Sequence, residues 1–241
     1  MALSEKRLSG LVEIQNTDMS LNRSLLKDRV ANTLRDYISS GRIPEGTKLT
    51  EREVATLLGI SRIPARDALM VLENEGLVIS KSNGRYVIEL TEKDVREIHA
   101  LRWTLEKLAV ELAAQNVTDK TKSMLLDALR SLEAVGAGGD VNGWTREDMA
   151  LHRAIWRLAD NAHLLKVLDS VLGAVFVLAE RNKIYGERNV EDDIAEHREL
   201  VHLIVAGDAA RAGGVIEAHL KKSLEMTLKT FRLSDVTDVS R

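Results

Sequence analysis

The sequence predicts a mainly α-helical protein in which a small domain of three helices and a β-hairpin precedes an all-helical bundle. Apolar residues recur at helical spacing along most of the 241-residue chain, whereas β-rich runs and both prolines occur only before residue 91. Basic side chains outnumber acidic ones by 11 to 8 within residues 21–88, although the whole chain has a net charge of −3. We therefore expect a flexible N-terminal extension over 1–20, the small domain over 21–90, the bundle over 91–232 and a flexible tail over 233–241.

The composition excludes several classes of protein. Because the chain has no cysteine, it has no disulfides or thiolate ligands, and any metal site must use histidines and carboxylates. The longest apolar run, residues 171–179, is about half as long as a membrane helix, and the N-terminus has no apolar signal segment. The excess of 37 acidic over 34 basic side chains argues against unspecific coating of nucleic acid. We expect a cytoplasmic protein without a membrane partner.

Capping signals define the helices of the small domain. Thr50 is followed three residues later by Glu53, which is the capping-box pattern at a helix start. Gly59 suits the end of that helix, and Ser61 can cap the next one. The expected helices of this domain cover about 25–40, 51–58 and 62–74.

A β-hairpin follows these helices. Leu77–Ser80 and Arg85–Leu90 are β-rich runs, and the Asn83-Gly84 dipeptide between them is a strong hairpin signal. The order helix, helix, tight turn, helix and hairpin is that of a winged helix-turn-helix, a fold that binds DNA.

The third helix begins with two arginines, Arg62 and Arg66, four positions apart on one face. In a helix-turn-helix this part of the helix enters the major groove, where an arginine can donate two hydrogen bonds to one guanine. Arg52, at the start of the preceding helix, can meet a phosphate, and Lys81 and Arg85 flank the wing. Two basic residues at this spacing are also common on an ordinary solvated helix face.

Residues 41–90 resemble the winged-helix domain of GntR-type bacterial transcription regulators. The resemblance rests on the ERE start of the second helix and on the segments GISRIPARDAL and ENEGL, and it spans the whole region. From FadR-type members it implies operator contacts by three arginines and a minor-groove approach by the wing glycine. Ile63 stands where the family more often has threonine, so a different operator preference is expected. The expected DNA-contacting residues are Arg52, Ser61, Arg62, Ile63, Pro64, Arg66, Lys81, Gly84 and Arg85.

About six amphipathic helices are expected beyond residue 90, over about 91–114, 119–134, 144–160, 162–185, 190–206 and 208–231. The glycine-rich stretch 135–140 is expected to be a flexible loop, and Gly207-Asp208 to supply a helix stop followed by an N-cap. The helix over 162–185 is apolar almost all round, which is typical of a central bundle helix or a subunit interface. The inward face of the first bundle helix is expected to carry Val95, Ile98, Leu101, Leu105, Leu108 and Leu112.

One aspartate and three histidines form a candidate metal site. Asp148 and His152 lie four positions apart and share a helix face, while His197 and His219 sit among apolar residues of two other helices. These side chains could converge on zinc, nickel or a similar divalent ion and leave room for oxygen ligands from outside. Inward histidines are also common as hydrogen-bonded core residues. The same pattern is absent around His99, His163 and His202.

Residues 93–231 resemble the FCD ligand-binding domain that follows the winged helix in FadR-type regulators. The metal-containing branch of this domain has D-x-x-x-H, then E-H-x-x-[LI], then a final histidine, matched here by DMALH at 148–152, EHREL at 196–200 and His219. The resemblance implies that Asp148, His152, His197 and His219 hold the ion and that a small carboxylate completes its coordination. It further implies that Arg102 neutralises this carboxylate and that Asn161 belongs to the effector site. The alternative for Arg102 is an ordinary surface arginine.

These observations predict a repressor rather than an enzyme. It would bind a near-palindromic double-stranded operator as a homodimer, with operator affinity controlled by the carboxylate. Two alternatives are open. The metal could be purely structural, with the signal coming from elsewhere, or the bundle could be a metal-dependent hydrolase. The hydrolase lacks a general base with motif support, apart from Asp148 and Glu196 beside the histidines.

Overall fold

The computed structural model describes residues 23–138, 141–185 and 189–238, so the expected N-terminal extension lies outside the described residues. Within this part of the chain the predicted fold class is confirmed. The elements are α1 (Arg23–Ser39), β1 (Lys48–Leu49), α2 (Glu51–Leu58), α3 (Arg62–Asn74), β2 (Val78–Lys81), β3 (Gly84–Val87), α4 (Glu92–Gln115), α5 (Asp119–Ala137), α6 (Val141–Leu158), α7 (Ala162–Tyr185), α8 (Val190–Val205) and α9 (Ala209–Asp238). None of these helices combines the length and the apolar composition that a membrane crossing requires.

The chain divides into two compact units. The first contains the residues up to Glu89 together with segment 169–180, and the second contains the remainder from Leu90 onward. All of α7 was predicted to belong to the bundle, whereas its residues 169–180 group with the first unit. A helix of 24 residues is about 36 Å long, so its residues need not all belong to one compact unit.

Three helices enclose the apolar core of the first unit. Leu34, Leu69 and Leu72 are fully buried there. Arg35 of α1 donates to Glu75, at the end of α3, over 2.8 and 3.0 Å, and both side chains are largely shielded from water. Because such paired hydrogen bonds between charged groups are strong, this contact fixes α1 against the end of α3.

The turn between α2 and α3 has most of the capping features that the sequence predicts. Thr50 and Glu53 form the expected capping box, and Gly59 ends α2 in the left-handed region at φ +63°. Ser61 occupies the N-cap position of α3, but its side chain makes no capping hydrogen bond. The predicted N-cap position of Ser61 is therefore confirmed, but the side-chain hydrogen bond expected of a cap is not formed. Because Ser61 is exposed, water can satisfy the first amides of α3 instead.

The wing is a three-stranded antiparallel sheet in the order β1-β3-β2. Lys81 pairs with Gly84, so Ser82 and Asn83 form the hairpin loop rather than the expected Asn83-Gly84. Gly84 has φ +141°, a conformation that favours glycine. β1 was not predicted, because two residues are too few to show alternation. In the sheet Lys48 pairs with Tyr86.

The second unit is built from helices around one apolar core. Its most deeply buried members include Leu132, Leu151, Ile155, Val201, Ile204 and Ile216. α5 runs to Ala137, so the predicted loop over 135–140 is wrong at its start. Gly136 serves helix packing, since a Cβ there would lie 2.7 Å from Ile194 and 2.9 Å from Trp144. α9 continues to Asp238 instead of ending near residue 231, because neither glycine nor proline interrupts its last turns.

α4 buries a different face from the expected one. Leu101 and Leu108 are 51% and 42% exposed, whereas His99, Arg102 and Glu106 are at most 4% exposed. Val95 is buried as predicted, but the predicted inward positions of Leu101 and Leu108 are wrong. The charged side chains can be buried because Arg102 and Glu106 pair with each other, 2.7 Å apart.

Candidate DNA interface and candidate metal centre

The outer face of α3 presents two arginines to solvent. Ala65 and Leu69 on the opposite face are completely buried, which orients the helix. Arg62 forms no ion pair with another described residue, and the described contact of Arg66 is a long one of 3.4 Å to Asp67. Both guanidinium groups are therefore available to a ligand from outside.

Ile63 and Pro64, which follow Arg62, have opposite environments. Ile63 is 46% exposed, on the same outer surface as the arginines. Pro64 is buried with the inner face of α3. Its ring packs into the domain and fixes the backbone of the first helical turn, while its DNA contact stays a prediction.

A cleft of about 430 Å³ lies between the starts of α2 and α3 and the wing. Its lining includes five of the predicted DNA-contacting residues, Arg52, Arg62, Lys81, Gly84 and Arg85. A neighbouring depression is lined by Ser61 together with Arg52 and Arg62. The fold thus brings these residues, which are distant in sequence, onto one basic concave surface of the kind that phosphates bind.

Arg85 differs from the other arginines of this cleft. Its Nε donates to Glu73 over 3.0 Å, and its Nη1 lies 3.4 Å from Glu51. Hydrogen bonds from Ser80 and Arg85 lower the pKa of Glu73, which keeps its carboxylate charged. These ion pairs tie β3 to α2 and α3, and the DNA contact of Arg85 stays a prediction.

Two lysines flank Tyr86 on the wing. The Nζ atom of Lys81 lies 5.0 Å from the ring centre and that of Lys48 lies 5.9 Å away. Such cation–π contacts position ammonium groups without neutralising them. Sequence reasoning missed Lys48, because its place beside the wing depends on β1.

Three histidines converge in the second unit from three different helices. His152 of α6, His197 of α8 and His219 of α9 each have a ring nitrogen within 4.8 Å of those of the other two. Asp148, one turn before His152, has its Oδ1 3.0 Å from Nε2 of His197. The four residues of the predicted metal set therefore lie together.

Each histidine is held by its Nδ1 atom. His152 Nδ1 lies 2.8 Å from a carboxylate oxygen of Glu106, and His219 Nδ1 lies 2.8 Å from one of Glu196. His197 Nδ1 lies 2.7 Å from the backbone carbonyl oxygen of Asp193. These acceptors assign the Nδ1 proton in each neutral ring, so the three Nε2 atoms carry the lone pairs.

The centre is electron-rich. The Nε2 atoms of His152 and His197 lie only 3.3 Å apart, beside the Asp148 carboxylate. Burial works against a charged His197, but Asp148 overcomes it and raises the pKa of that imidazole. Burial lowers the pKa of His219. Lone pairs this close repel one another unless a proton or a metal ion lies between them.

The supporting carboxylates stay ionised. Burial opposes the charge of Glu106, but Arg102 and His152 lower its pKa to about 2. A hydrogen bond from His219, assisted by one from Lys222, lowers the pKa of Glu196 to about 2 despite partial burial. A carboxylate behind a metal-binding histidine fixes the ring and makes it a better donor. The residues present therefore fit a divalent metal ion, with three imidazoles and one carboxylate as donors.

Arg102 and Asn161 were the two predicted effector residues. Arg102 is buried and donates from Nε to Glu106, while its two Nη groups donate to no acceptor among the described residues. The alternative of an ordinary surface arginine is therefore wrong. Asn161 Oδ1 accepts a hydrogen bond from the backbone of Leu164, so this side chain caps the start of α7. Its effector contact stays a prediction.

Comparison with known families identifies both units. Residues 26–88 match the model described as bacterial regulatory proteins, gntR family, and residues 97–222, more than half of the chain, match the FCD domain. The chain belongs to the GntR family of bacterial transcription regulators. GntR regulators bind DNA, and FCD domains bind small-molecule effectors and commonly metal ions.

Similar proteins cover most of this GntR regulator. It is 30% identical to the "Probable D-xylose utilization operon transcriptional repressor" of Paenarthrobacter nicotinovorans, over 86% of this chain and 92% of the relative. The solved structure of E. coli McbR/YncC superposes with a TM-score of 0.72 at 21% identity, over 86% of this chain and 98% of that one. The metal-free FCD domain of TM0439 covers 60% of this chain and 99% of its own, with a TM-score of 0.51 at 20% identity. These relatives are regulators or share the fold, and enzymes are not among them.

Sequence reasoning missed the roles of three residues of the regulator's bundle. Glu106 supports His152, and a signal existed in its spacing of four from Arg102. Glu196 precedes His197 in sequence but supports His219 on another helix, which only the tertiary structure reveals. His99 was set aside for its charged neighbours, yet it is only 3% exposed.

Proposed function

We propose that this GntR regulator is a repressor whose FCD domain binds a small carboxylate at a divalent metal ion, and that this binding changes its affinity for the operator. The proposal is carried by the convergence of ring nitrogens from three histidines, each ring being held by a hydrogen bond at Nδ1. The name of the Paenarthrobacter relative supports the repressor role. The site of action would be the cytoplasm, where bacterial operators are accessible.

The proposed ligands of the ion are Asp148, His152, His197 and His219. An N3O set of this kind suits zinc or nickel and, in a six-coordinate ion, leaves positions for oxygen ligands. The bound ion would supply a Lewis-acidic centre for a carboxylate oxygen. The chain's own residues hold the ligands, because Glu106, Glu196 and the Asp193 carbonyl fix the three rings.

Arg102 is the proposed second partner of the carboxylate. It lies on the buried face of α4, and Glu106 connects it to His152 through two hydrogen bonds. Its Nη groups, which no described residue engages, can donate to an anion beside the metal ligands. Among the described residues Glu106 is the carboxylate that pairs with Arg102, so the remaining Arg102 donors would offer an incoming carboxylate hydrogen bonds in a buried place.

For the DNA-binding domain, we propose that Arg62 and Arg66 read bases in the major groove and that Arg52 and Ser61 contact phosphates. Lys81 and Gly84 would bring the wing to the minor groove or its backbone. Exposure of the arginines and the shared cleft at the start of α3 support these roles. Two copies of the chain would meet two half-sites of a near-palindromic operator.

The homodimer is proposed to form through the apolar stripe of α4. Ile98, Leu101, Leu105, Leu108 and Leu112 alternate at spacings of three and four, and Leu101 and Leu108 are largely exposed. Such spacing is typical of a helix seam that packs against another helix. Exposed leucines in this arrangement are unfavourable in water, so a second copy of α4 is the proposed occupant.

Light scattering on the purified protein tests this dimer. The double variant Leu101→Glu with Leu108→Glu is expected to be monomeric at concentrations at which the natural chain is dimeric. Met124→Glu is the matched control, since Met124 is 59% exposed on α5 and away from the stripe. A double variant that stays dimeric would move the interface to another surface.

The effector site is tested by thermal unfolding of the metal-loaded and the chelated protein in the presence of small mono-, di- and tricarboxylates. A ligand at 100 times its Kd stabilises the protein by about 2.7 kcal/mol, which gives a clear rise in Tm. The proposal expects a carboxylate that stabilises only the metal-loaded protein and that shifts operator affinity in a parallel binding assay. Arg102→Gln should remove most of this stabilisation.

The two alternatives give other results. With a purely structural metal, chelation unfolds the domain and no carboxylate changes operator binding. With a hydrolase, a hydrolysable substrate is turned over and His197→Ala abolishes the turnover. Neither result is compatible with the proposed mode of regulation.

A further inference from the structure

Lys222 of α9 lies outside the proposed ligand set but contacts the residues that hold two of its members. Its side chain is 46% exposed, so it is in contact with water. Its Nζ atom donates to Oε1 of Glu196 over 2.7 Å and to Oδ1 of Asp193 over 3.3 Å. Both acceptors belong to α8, so Lys222 joins the helix of His219 to the helix of His197.

Each of the two acceptor residues also holds a histidine. Oε2 of Glu196, the oxygen that Lys222 does not contact, lies 2.8 Å from Nδ1 of His219. The backbone carbonyl oxygen of Asp193 lies 2.7 Å from Nδ1 of His197. One ammonium group is therefore linked to two of the three histidine rings, with a single residue in between in each case.

The spacing along both helices explains why these groups meet. Asp193 and Glu196 are three positions apart on α8, and His219 and Lys222 are three positions apart on α9, so each pair shares a helix face. Asp193 is only 5% exposed, and a buried carboxylate requires cations or donors close to it. Lys222 provides such a cation from the edge of the bundle. We call these two contacts of Lys222 with Asp193 and Glu196 the lysine bridge.

We propose that Lys222 is a positioning residue of the metal centre, which keeps His197 and His219 converged through the lysine bridge. This inference rests on the proposed function, because it takes both histidines as ligands of the ion. The centres of their rings lie 4.7 Å apart, with an angle of 72° between the ring planes. Ligands that are held in place lose less conformational freedom when the ion binds, so the lysine bridge strengthens metal binding.

The charge of Lys222 has a second effect on the ion, of opposite sign. Through space, an ammonium group repels a divalent cation, so removal of the charge alone would tighten metal binding. Removal of the lysine bridge releases the two supporting residues and weakens metal binding. Because the side chain of Lys222 is half exposed, water and salt screen the repulsion, and the positioning effect is expected to be the larger one. The direction of the change therefore separates a positioning role from a purely electrostatic one.

Lys222→Met tests the lysine bridge, because methionine has nearly the same length but neither charge nor donors. The affinity for Zn²⁺ is measured on the full-length protein by competition with a chelator of known affinity. We expect it to fall about three- to tenfold, less than the roughly 10- to 100-fold typical of a direct partner of a metal-binding histidine. Lys222→Arg, which keeps the charge and several donors, should recover most of the affinity.

Lys221→Met is the matched control. Lys221 is the neighbouring residue, its side chain is 48% exposed, and its Nζ atom donates to Glu217 over 2.9 Å. Glu217 also accepts from Lys107 of α4, so this ion pair does not support a proposed metal ligand. Lys221→Met should therefore have the natural affinity for Zn²⁺. Since exposed ion pairs contribute little to stability, the chelated forms of both variants should have similar Tm values.

Two further measurements distinguish positioning from a general loosening of the fold. The visible absorption of Co²⁺ bound in the centre depends on the ligand geometry, so Lys222→Met should shift its bands and Lys221→Met should not. In a Glu196→Gln background the link to His219 is already weakened. Lys222→Met should therefore cost less Zn²⁺ affinity there than in the natural chain, as expected for two residues that act through one contact.

The outcomes separate this inference from the proposed function. Unchanged or tighter Zn²⁺ binding in Lys222→Met would overturn the positioning role and leave the metal centre standing. An equal loss in Lys221→Met would also overturn it, because surface charge alone would then account for the effect. An undiminished loss in the Glu196→Gln background would contradict the lysine bridge. If the natural chain bound no Zn²⁺, the proposed function would fail together with the inference.

Discussion

The cations of the DNA surface and the histidines of the metal centre are held in opposite ways. Arg52 and Arg62 form no ion pair with another described side chain and are exposed to water. The three histidines are each anchored at Nδ1, and two of the anchors are carboxylates with further partners of their own. Substitutions of separate exposed cations have nearly additive effects on free energy. Substitutions of groups that share buried partners have effects that depend on one another. The two surfaces should therefore respond differently to single substitutions.

The largest effect is expected from removing one metal ligand. His219→Ala should lower metal content, measured by elemental analysis of the purified protein, from about one ion per chain to near zero, because two imidazoles and a carboxylate leave the site incomplete. His202→Ala, at an exposed histidine, should keep the ion. Unchanged metal content in His219→Ala would exclude His219 as a ligand. It would also contradict the view that the buried histidines depend on one another.

Glu106→Gln tests whether the buried partners matter as much as the ligands. Glu106 touches no proposed ligand atom, but it fixes His152 and pairs with Arg102. The variant is expected to bind the metal about 10- to 100-fold more weakly, as measured by competition with a chelator of known affinity. Glu97→Gln, on the exposed part of the same helix, should have the natural affinity. Natural affinity in Glu106→Gln would show that the histidines act without their support.

Arg66→Ala tests the independent action of the DNA-facing cations. Loss of a base-reading arginine should cost about 1–3 kcal/mol on the cognate operator and much less on random duplex, at one fixed salt concentration. Fluorescence anisotropy measures both affinities. Arg130→Ala, an exposed arginine of α5, provides the control. Equal losses on the two duplexes would reduce Arg66 to a phosphate contact.

The smallest effect is expected for Lys48→Ala on the wing. A single phosphate contact should weaken binding only a few-fold, about equally on all sequences, and should reduce the salt-dependence slope by roughly one. Titrations at several salt concentrations provide that slope, with Lys93→Ala, 83% exposed in α4, as the reference. A loss of affinity that depends on the DNA sequence would show that the wing takes part in base recognition.

The outcomes at α4 and at the histidines show what can be predicted from one sequence. Asp148, His152, His197 and His219 were identified from motif and spacing, and the structure brings them together. Leu101 was predicted to face the core, yet Leu101 is exposed and the neighbouring Arg102 is buried. The apolar periodicity of a helix shows which side chains form an apolar stripe, but not what packs against that stripe. In a sequence, a stripe buried in the core therefore cannot be distinguished from one at a subunit interface.

Local chemistry determined much of this protein from the sequence alone. The capping box at Thr50, the stop at Gly59 and the arginines of α3 depend on neighbours in the chain, and each could be recognised without a fold. Only the tertiary structure decided which carboxylate supports which histidine, that His99 and Pro64 are buried, that Arg85 is ion-paired, and that β1 brings Lys48 to the wing. The physical reason is that these roles arise from contacts between groups far apart in sequence, whose distances and shielding from water no local pattern contains.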